Sequence, residues 1–221
     1  MELTSRFWNF LPVPMQFVTA GDVDRPTDSM TGEAPEISDR DLLERAGGGD
    51  EVAFTSLYRR RQAAVYRFAL QMSGQRSVAE EVTQEVFLAL IREAGRFDPQ
   101  RGSVASYLYG IARNHVLRFL ERDRNYVAME DEPERDSAQW TAPEDTLGHL
   151  TRGEMIESVR RAVLSLPANF REVVVLCDLH EMSYADAAAA LGCAVGTVRS
   201  RLHRARGMLL ERLKAKKRAF V

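Results

Sequence analysis

The chain has 221 residues, with 30 Lys and Arg against 32 Asp and Glu, and only two cysteines. That length holds one or two domains with their own cores. No apolar run approaches the roughly 20 residues of a bilayer span, and Cys177 and Cys193 in apolar context exclude a disulfide framework, so a reducing, cytoplasmic setting is expected. The formal net charge of −2 conceals a segregation. From Ala194 to the end, nine cations between Arg199 and Arg218 face the single acid Glu211, whereas Asp123 to Glu157 is strongly acidic. Such an imbalance suits a nucleic-acid-binding end.

The opening, MELTSRFWNFLPVPM, has one Arg and two prolines in its apolar part and makes a poor signal peptide. Residues 1–36 carry Pro12, Pro14, Pro26 and Pro35 without a sustained period, which predicts a disordered extension. Structure begins at Ser38, where Ser38 with Asp41 reads as a capping box and Ile37 with Leu42 as a hydrophobic staple, opening a short helix that ends at Gly47–Gly49. Asp50 caps the next helix, with Phe54, Leu57, Tyr58, Val65, Phe68 and Met72 near one face before Gly74. Ser77 and Glu80 predict a third cap, followed by Val82, Val86 and Leu90, and Gly95 stops that helix. Beyond the loop 96–102, Ser103 caps a long helix whose inner side takes Leu108, Ile111, Ala112, His115 and Phe119. Nothing alternates with period two, so the domain at 37–123 is all-helical.

The stretch 124–155, acidic and broken by Pro133 and Pro143, reads as a flexible linker with Trp140 as a docking point. A second helical unit, 156–214, opens with Val159, Ala162, Val163 and Leu166, is cut by Pro167, and restarts at Asn169 with Glu172 as a fourth capping pair. Residues 215–221 form a basic tail. Within the second unit, SYADAAAALGCAVGTVRSRLHRAR (183–206) has the form of a helix-turn-helix. Ser183 and Asp186 cap a short Ala-rich helix, Gly192 ends it in a left-handed conformation, and a second helix follows within a few residues. Its inner stripe is Val195, Val198, Leu202, Ala205 and Leu209. The opposite face, Thr197, Arg199, Ser200, Arg201, His203 and Arg204, can bond base edges and phosphates in a major groove. The expected fold is all-α, two small helical domains joined by a flexible acidic linker, the C-terminal one a helix-turn-helix.

No catalytic constellation is visible. His115, His149, His180 and His203 stand far apart, without a metalloprotease, phosphate-loop or nucleophile-elbow pattern. Cys177, His180 and Cys193 lack a fourth ligand and paired zinc spacing. No enzyme activity, cofactor or metal is therefore expected. Two stretches of the first domain carry chemistry of another kind. Glu81, Gln84 and Glu85 lie beside a buried stripe and suit a partner's basic helix. In RFDPQRGSVASYLYGIARN (96–114), Arg96, Arg101 and Arg113 are interleaved with Phe97, Tyr107 and Tyr109, which fits an unpaired strand, whose phosphates seek charge and whose bases seek π-faces. By pattern alone these aromatics fit the core equally well.

QEVF (84–87) and YLYGIARN (107–114), followed after the acidic stretch by LPANFREVVVL (166–176) and the helix-turn-helix run, resemble the extracytoplasmic-function (ECF) group of bacterial RNA polymerase sigma factors over residues 37–213. The resemblance implies a promoter-recognition subunit of two modules, regions two and four, that binds core RNA polymerase through the β′ coiled coil and β flap, promoter DNA, and an anti-sigma factor, with no membrane insertion. Carried over by matching positions, Glu81, Gln84 and Glu85 contact the coiled coil. The loop 97–104, with Phe97, Arg101 and Ser103, captures a base flipped from the melted minus-ten element, and Tyr107, Arg113 and Asn114 lie on the adjoining helix. Thr197, Arg199, Ser200, Arg201, His203 and Arg204 face the minus-thirty-five duplex. Three positions depart from the family: Glu81 for Asp, Tyr107 for Trp, and Ala187 for a larger aliphatic that would pack under the recognition helix. A stand-alone helix-turn-helix regulator would leave the QEVF surface without use, a sigma mimic would carry a receiver-like βα domain, and a nuclease would need clustered carboxylates.

Overall fold

The computed structural model describes residues 37–127 and 147–219, and the residues from Ile37 onward form one compact unit. The extension 1–36, most of the acidic linker with Trp140, and the last two residues lie outside the described residues.

Eight α-helices carry the described chain: α1 Asp39–Gly47, α2 Glu51–Ser73, α3 Arg76–Glu93, α4 Val104–Val127, α5 Leu147–Leu164, α6 Ala168–Val174, α7 Tyr184–Leu191 and α8 Val195–Ala219. Helix starts follow the capping chemistry at Ser38, Asp50 and Ser183, each of whose side chains accepts a backbone N–H of the first turn. Ser103 does the same for Ser106 N at the head of α4. Two expected caps are absent. Helix α3 begins at Arg76, which places Ser77 inside its first turn. Pro167, whose fixed φ suits a helix entrance, occupies the position before α6, where no side chain caps the backbone. Glu172 is thereby released from the capping role and is buried, at 1% exposure. The expected linker is also shorter at both described ends, since α4 continues to Val127 and α5 begins at Leu147.

The first half packs α2, α3 and α4 around Leu57, Phe68, Met72, Val86, Leu90 and Leu108, with α1 adding Leu42 and Leu43. On the inner side of α4, His115 is only half-buried and Val116 is the residue fully buried at that turn. In the second half α6, α7 and α8 close around Leu166, Val173, Leu176, Val198 and Leu202. Between α6 and α7 a π-helical turn, Val175–Leu179, adds a residue to the turn, and Glu181 after it takes a left-handed φ of 54°.

These two halves share one core. Helix α7 lies on α4, and close approach is possible because the facing residues are small: a Cβ on Gly110 would stand 3.3 Å from the Ala190 carbonyl oxygen. Ala187, Ala188 and Ala190 are buried. The residues of α7 that come nearest the first half are Ala189, at Gly102, and Ala190, at Gly110, while Ala187 is fully buried in the shared core.

Candidate nucleic-acid interface

On the recognition helix α8, Val198, Leu202 and Ala205 are buried while Val195 and Leu209 are half-buried, so the sequence stripe is the inner one. Arg199, Ser200, His203 and Arg204 are exposed and Thr197 is half-buried. Gly192 ends α7 at φ 62°, and its N–H bonds back to Ala189, which makes the tight turn between the two helices. The Arg199 guanidinium sits 5.8 Å from the centre of the Tyr184 ring, a cation–π contact that restricts its reach toward solvent. Arg206 forms a bidentate pair with Asp178 at 2.6 and 3.1 Å, which takes it out of the free cationic face.

Arg201 departs from the expectation. It turns inward and donates to Glu172 at 3.2 Å, and Arg113 of α4 donates to the other oxygen of the same carboxylate at 2.7 Å. One buried carboxylate therefore joins a residue expected to read duplex DNA to one expected to read a melted strand. Arg113 and Arg201 side chains retain only 24% and 32% exposure.

Of the strand-reading candidates, Phe97 and Ser103 line one cleft of about 270 Å³, with Pro99, Gly102 and Val104 beside them and Asp39, Arg40 and Arg61 opposite. Phe97 packs against Tyr107 with ring centres 5.6 Å apart. The loop is shaped by Asp98, whose carboxylate accepts from Gln100 N and whose carbonyl accepts from Arg101 N. Arg61 is held at the cleft by an ion pair with Asp39. Arg101 and Asn114 are exposed, and Arg113 points away toward Glu172. Ser103 donates to Asp186 of α7 at 2.9 Å as well as capping α4.

A third group lies on α3, where Glu81 and Gln84 are exposed and Glu85 is half-buried beside buried Val82, Val86 and Phe87. This is the acidic surface expected for a basic helix.

Sequence reasoning missed four residues that join the halves. Asp186 accepts from Ser183, Ser103 and Ser106, and these hydroxyl bonds, Ser183 first, hold its carboxyl below the usual range. His180 bonds Tyr109 Oη at 2.8 Å and Gln71 Oε1 at 2.9 Å, and burial with the nearby Arg67 charge brings its pKa down to about 4. Gln71 can only accept through that oxygen, so His180 Nε2 donates to it and Nδ1 accepts from the tyrosine. Arg171 donates to the Leu164, Leu166 and Met72 carbonyls, tying the end of α2 to the second half. Asp186 carried only its capping spacing with Ser183, and His180, Gln71 and Arg171 carried no signal beyond being polar in apolar helical runs.

Among the described residues no group of His, Cys, Asp and Glu could hold a metal ion, and no helix is long and apolar enough to cross a membrane. Both cysteines are free, and burial raises the Cys177 thiol.

Known proteins are similar to this chain in sequence and in fold. Residues 57–126 match the family model for Sigma-70 region 2 and residues 156–209 that for Sigma-70, region 4. The chain is 35% identical over 201 residues to the ECF RNA polymerase sigma factor SigE of Mycolicibacterium smegmatis, covering 88% of this chain and 72% of that one. It is also 35% identical over 182 residues to SigM of Mycobacterium tuberculosis, covering 80% and 86%. Among solved structures, CnrH in complex with the cytosolic domain of CnrY is similar at a TM-score of 0.59 and 28% identity, over 80% of this chain and 97% of that one. The sigma factor RpoE in complex with the anti-sigma factor NepR from Bartonella quintana gives 0.56 and 25%, over 73% and 96%. With a recognition helix in the second half, an acidic α3 face and an aromatic cleft in the first, and relatives matched across both, the chain belongs to the ECF RNA polymerase sigma factors.

Proposed function

We propose that this chain binds core RNA polymerase, directs it to promoters and assists their melting, without chemistry of its own. The observation that carries the reading is the presence, in one chain, of an exposed cationic recognition face and a separate aromatic cleft. The first fits duplex DNA through Arg199, Ser200, His203 and Arg204, with Thr197 at its edge. The second fits an unpaired strand, whose extruded base would enter between the Phe97 loop and Arg61, with Tyr107 packed behind Phe97 and the exposed Arg101 and Asn114 proposed to hold the strand outside the cleft. Strand separation costs stacking and pairing energy, and a subunit that binds the separated product offsets that cost. Joining both readers in one polypeptide raises the effective concentration of the second contact once the first has formed.

Glu81, Gln84 and Glu85 are the proposed seat of the polymerase β′ coiled coil, and the second half that of the β flap. CnrH and RpoE are each complexed with a partner protein, which supports an anti-sigma partner for this chain too. Residues 37–123 and 156–214 are the proposed functional modules, with 1–36, 124–155 and the tail 215–221 as accessory segments, and action on polymerase and chromosome sets the site of function in the cytoplasm.

Run-off transcription tests the proposal. Core polymerase given a pool of genomic fragments from the source organism is expected to produce discrete transcripts only when this chain is added. The same background with and without the chain would refute it.

A further inference from the structure

The four arginines of α8 between positions 199 and 206 have different surroundings. Arg201 donates to the buried Glu172 at 3.2 Å, and Arg206 donates twice to Asp178, at 2.6 and 3.1 Å. A guanidinium bound to a carboxylate in this way has part of its N–H fork committed to the protein. Arg204 is exposed and has no such anchor among the described residues. Arg199 is held in a third way. Its guanidinium carbon lies over the Tyr184 ring, 5.8 Å from the centre, and it pairs with no carboxylate among the described residues. A ring attracts a cation through its π-face and leaves the N–H donors unused, so Arg199 is restrained while its fork stays available.

Tyr184 is well placed to act as a fixed rest for that side chain. It opens α7 directly after the N-cap Ser183, whose hydroxyl accepts from Asp186 N at 3.0 Å, and the Gly192 turn sets α7 against α8. The ring itself is 38% exposed and stands outside the buried core, so core packing does not account for an aromatic there.

Phosphate and base contacts ask different things of an arginine. Phosphate oxygens accept over a wide arc and tolerate a mobile cation. A guanine offers O6 and N7 at one spacing, which both prongs of the fork reach only in one orientation. Ordering a long side chain during binding weakens the complex, and a side chain already ordered in the free protein avoids that loss.

We propose that Tyr184 is a positioning residue for sequence readout: it holds Arg199 over its ring so that the free guanidinium fork reads one guanine of the duplex element. The proposal deepens the promoter-reading function above and rests on it. Ring and arginine act as a unit in which α7 supplies the rest and α8 the reader. Arg204, without a ring beneath it, is outside that unit.

Selection of DNA tests the proposal. The full-length chain bound to core polymerase captures duplexes from a randomised pool, and the bound fraction is sequenced for the wild type, Arg199→Ala, Tyr184→Phe and the ringless Tyr184→Leu and Tyr184→Gln, with circular dichroism as the check of fold. Arg199→Ala is expected to erase a guanine preference at one position of the selected duplex element. A cation–π contact at an exposed site is worth about a two- to fivefold change in an equilibrium, so the ringless variants should lower the preference at that same position by about this factor. Preferences elsewhere and the salt slope of binding should stay unchanged, and Tyr184→Phe, which keeps the ring, should retain the wild-type preference. An even loss at all positions, or loss of helix in both ringless variants, would assign Tyr184 to the fold and overturn the proposal. A Tyr184→Phe variant as impaired as the ringless ones would assign the effect to the hydroxyl and overturn it as well. So would an unchanged preference in the ringless variants, or an Arg199→Ala variant that alters only the salt slope, and both results leave the promoter-reading function standing. No enriched sequence with the wild-type chain would reject that function and the proposal with it.

Discussion

Glu172→Gln is the most informative single change in this chain. The carboxylate is 1% exposed and accepts from Arg113 Nε at 2.7 Å and Arg201 Nη1 at 3.2 Å. An amide of the same shape keeps one acceptor oxygen, but its NH₂ then faces a guanidinium, donor against donor. Removing one partner from a buried ion pair costs about 3–5 kcal/mol, because the remaining charges stay behind uncompensated. Here those charges are guanidinium groups with 24% and 32% side-chain exposure, which can partly rehydrate, so the lower end applies, about 3 kcal/mol. At roughly 2–4 °C per kcal/mol for a chain of this size, the melting temperature should fall by about 6–12 °C. Calorimetry and urea titration measure the loss. A double-mutant cycle with Arg113→Gln then isolates the bond between the halves, with an expected coupling of about 1.5–3 kcal/mol, the usual worth of a hydrogen bond to a charged group. A melting-temperature change below about 2 °C would refute the buried-hub reasoning, and a coupling indistinguishable from zero would show that the halves do not meet there in solution.

Acidification should weaken the same contact through His180. Its pKa of about 4 in the folded chain lies below the ordinary 6.5, so its contribution is complete above about 6.5 and is lost as pH falls toward 4. By pH 5 the loss should reach about 2 kcal/mol, seen as a pH-dependent drop in melting temperature that His180→Asn abolishes. Reversing charge on α3 with Gln84→Lys and Glu85→Lys should weaken capture of core polymerase several-fold while circular dichroism stays unchanged, and unchanged capture would remove α3 from the polymerase surface. Arg204→Ala should weaken duplex binding, and if Arg204 contacts a phosphate the salt slope should fall by about one. Asn114→Ala should instead spare closed-duplex binding and reduce permanganate reactivity of promoter thymines with polymerase present, a loss partly restored by a pre-melted bubble. Equal loss of duplex binding from both substitutions would reject the division of labour.

Local chemistry made much of the fold legible from the chain alone. A hydroxyl or carboxylate before an apolar run satisfies free amides over three residues, so Ser38, Asp50, Ser103 and Ser183 announced their helices. Helical periodicity likewise fixed which side of α8 turns inward, leaving Arg199, His203 and Arg204 outside. Those are short-range matters. The family could be read because two motif blocks in a set order and spacing are unlike other helical proteins, whatever the halves do in space.

Long-range partners were settled only by the tertiary structure. Asn169 and Glu172 had the spacing of a capping pair, yet Pro167 starts α6 without one, and Glu172 instead meets Arg113, 59 positions earlier. Arg201 belongs to the polar side of α8 by periodicity, but its length lets it bend back to that carboxylate, and no period encodes a rotamer. In α7 the sequence showed only that Ala187 stands where a larger aliphatic is usual. The absent Cβ of Gly110 is what admits the Ala190 backbone so close to α4, because packing density depends on both facing surfaces and the sequence displays one at a time.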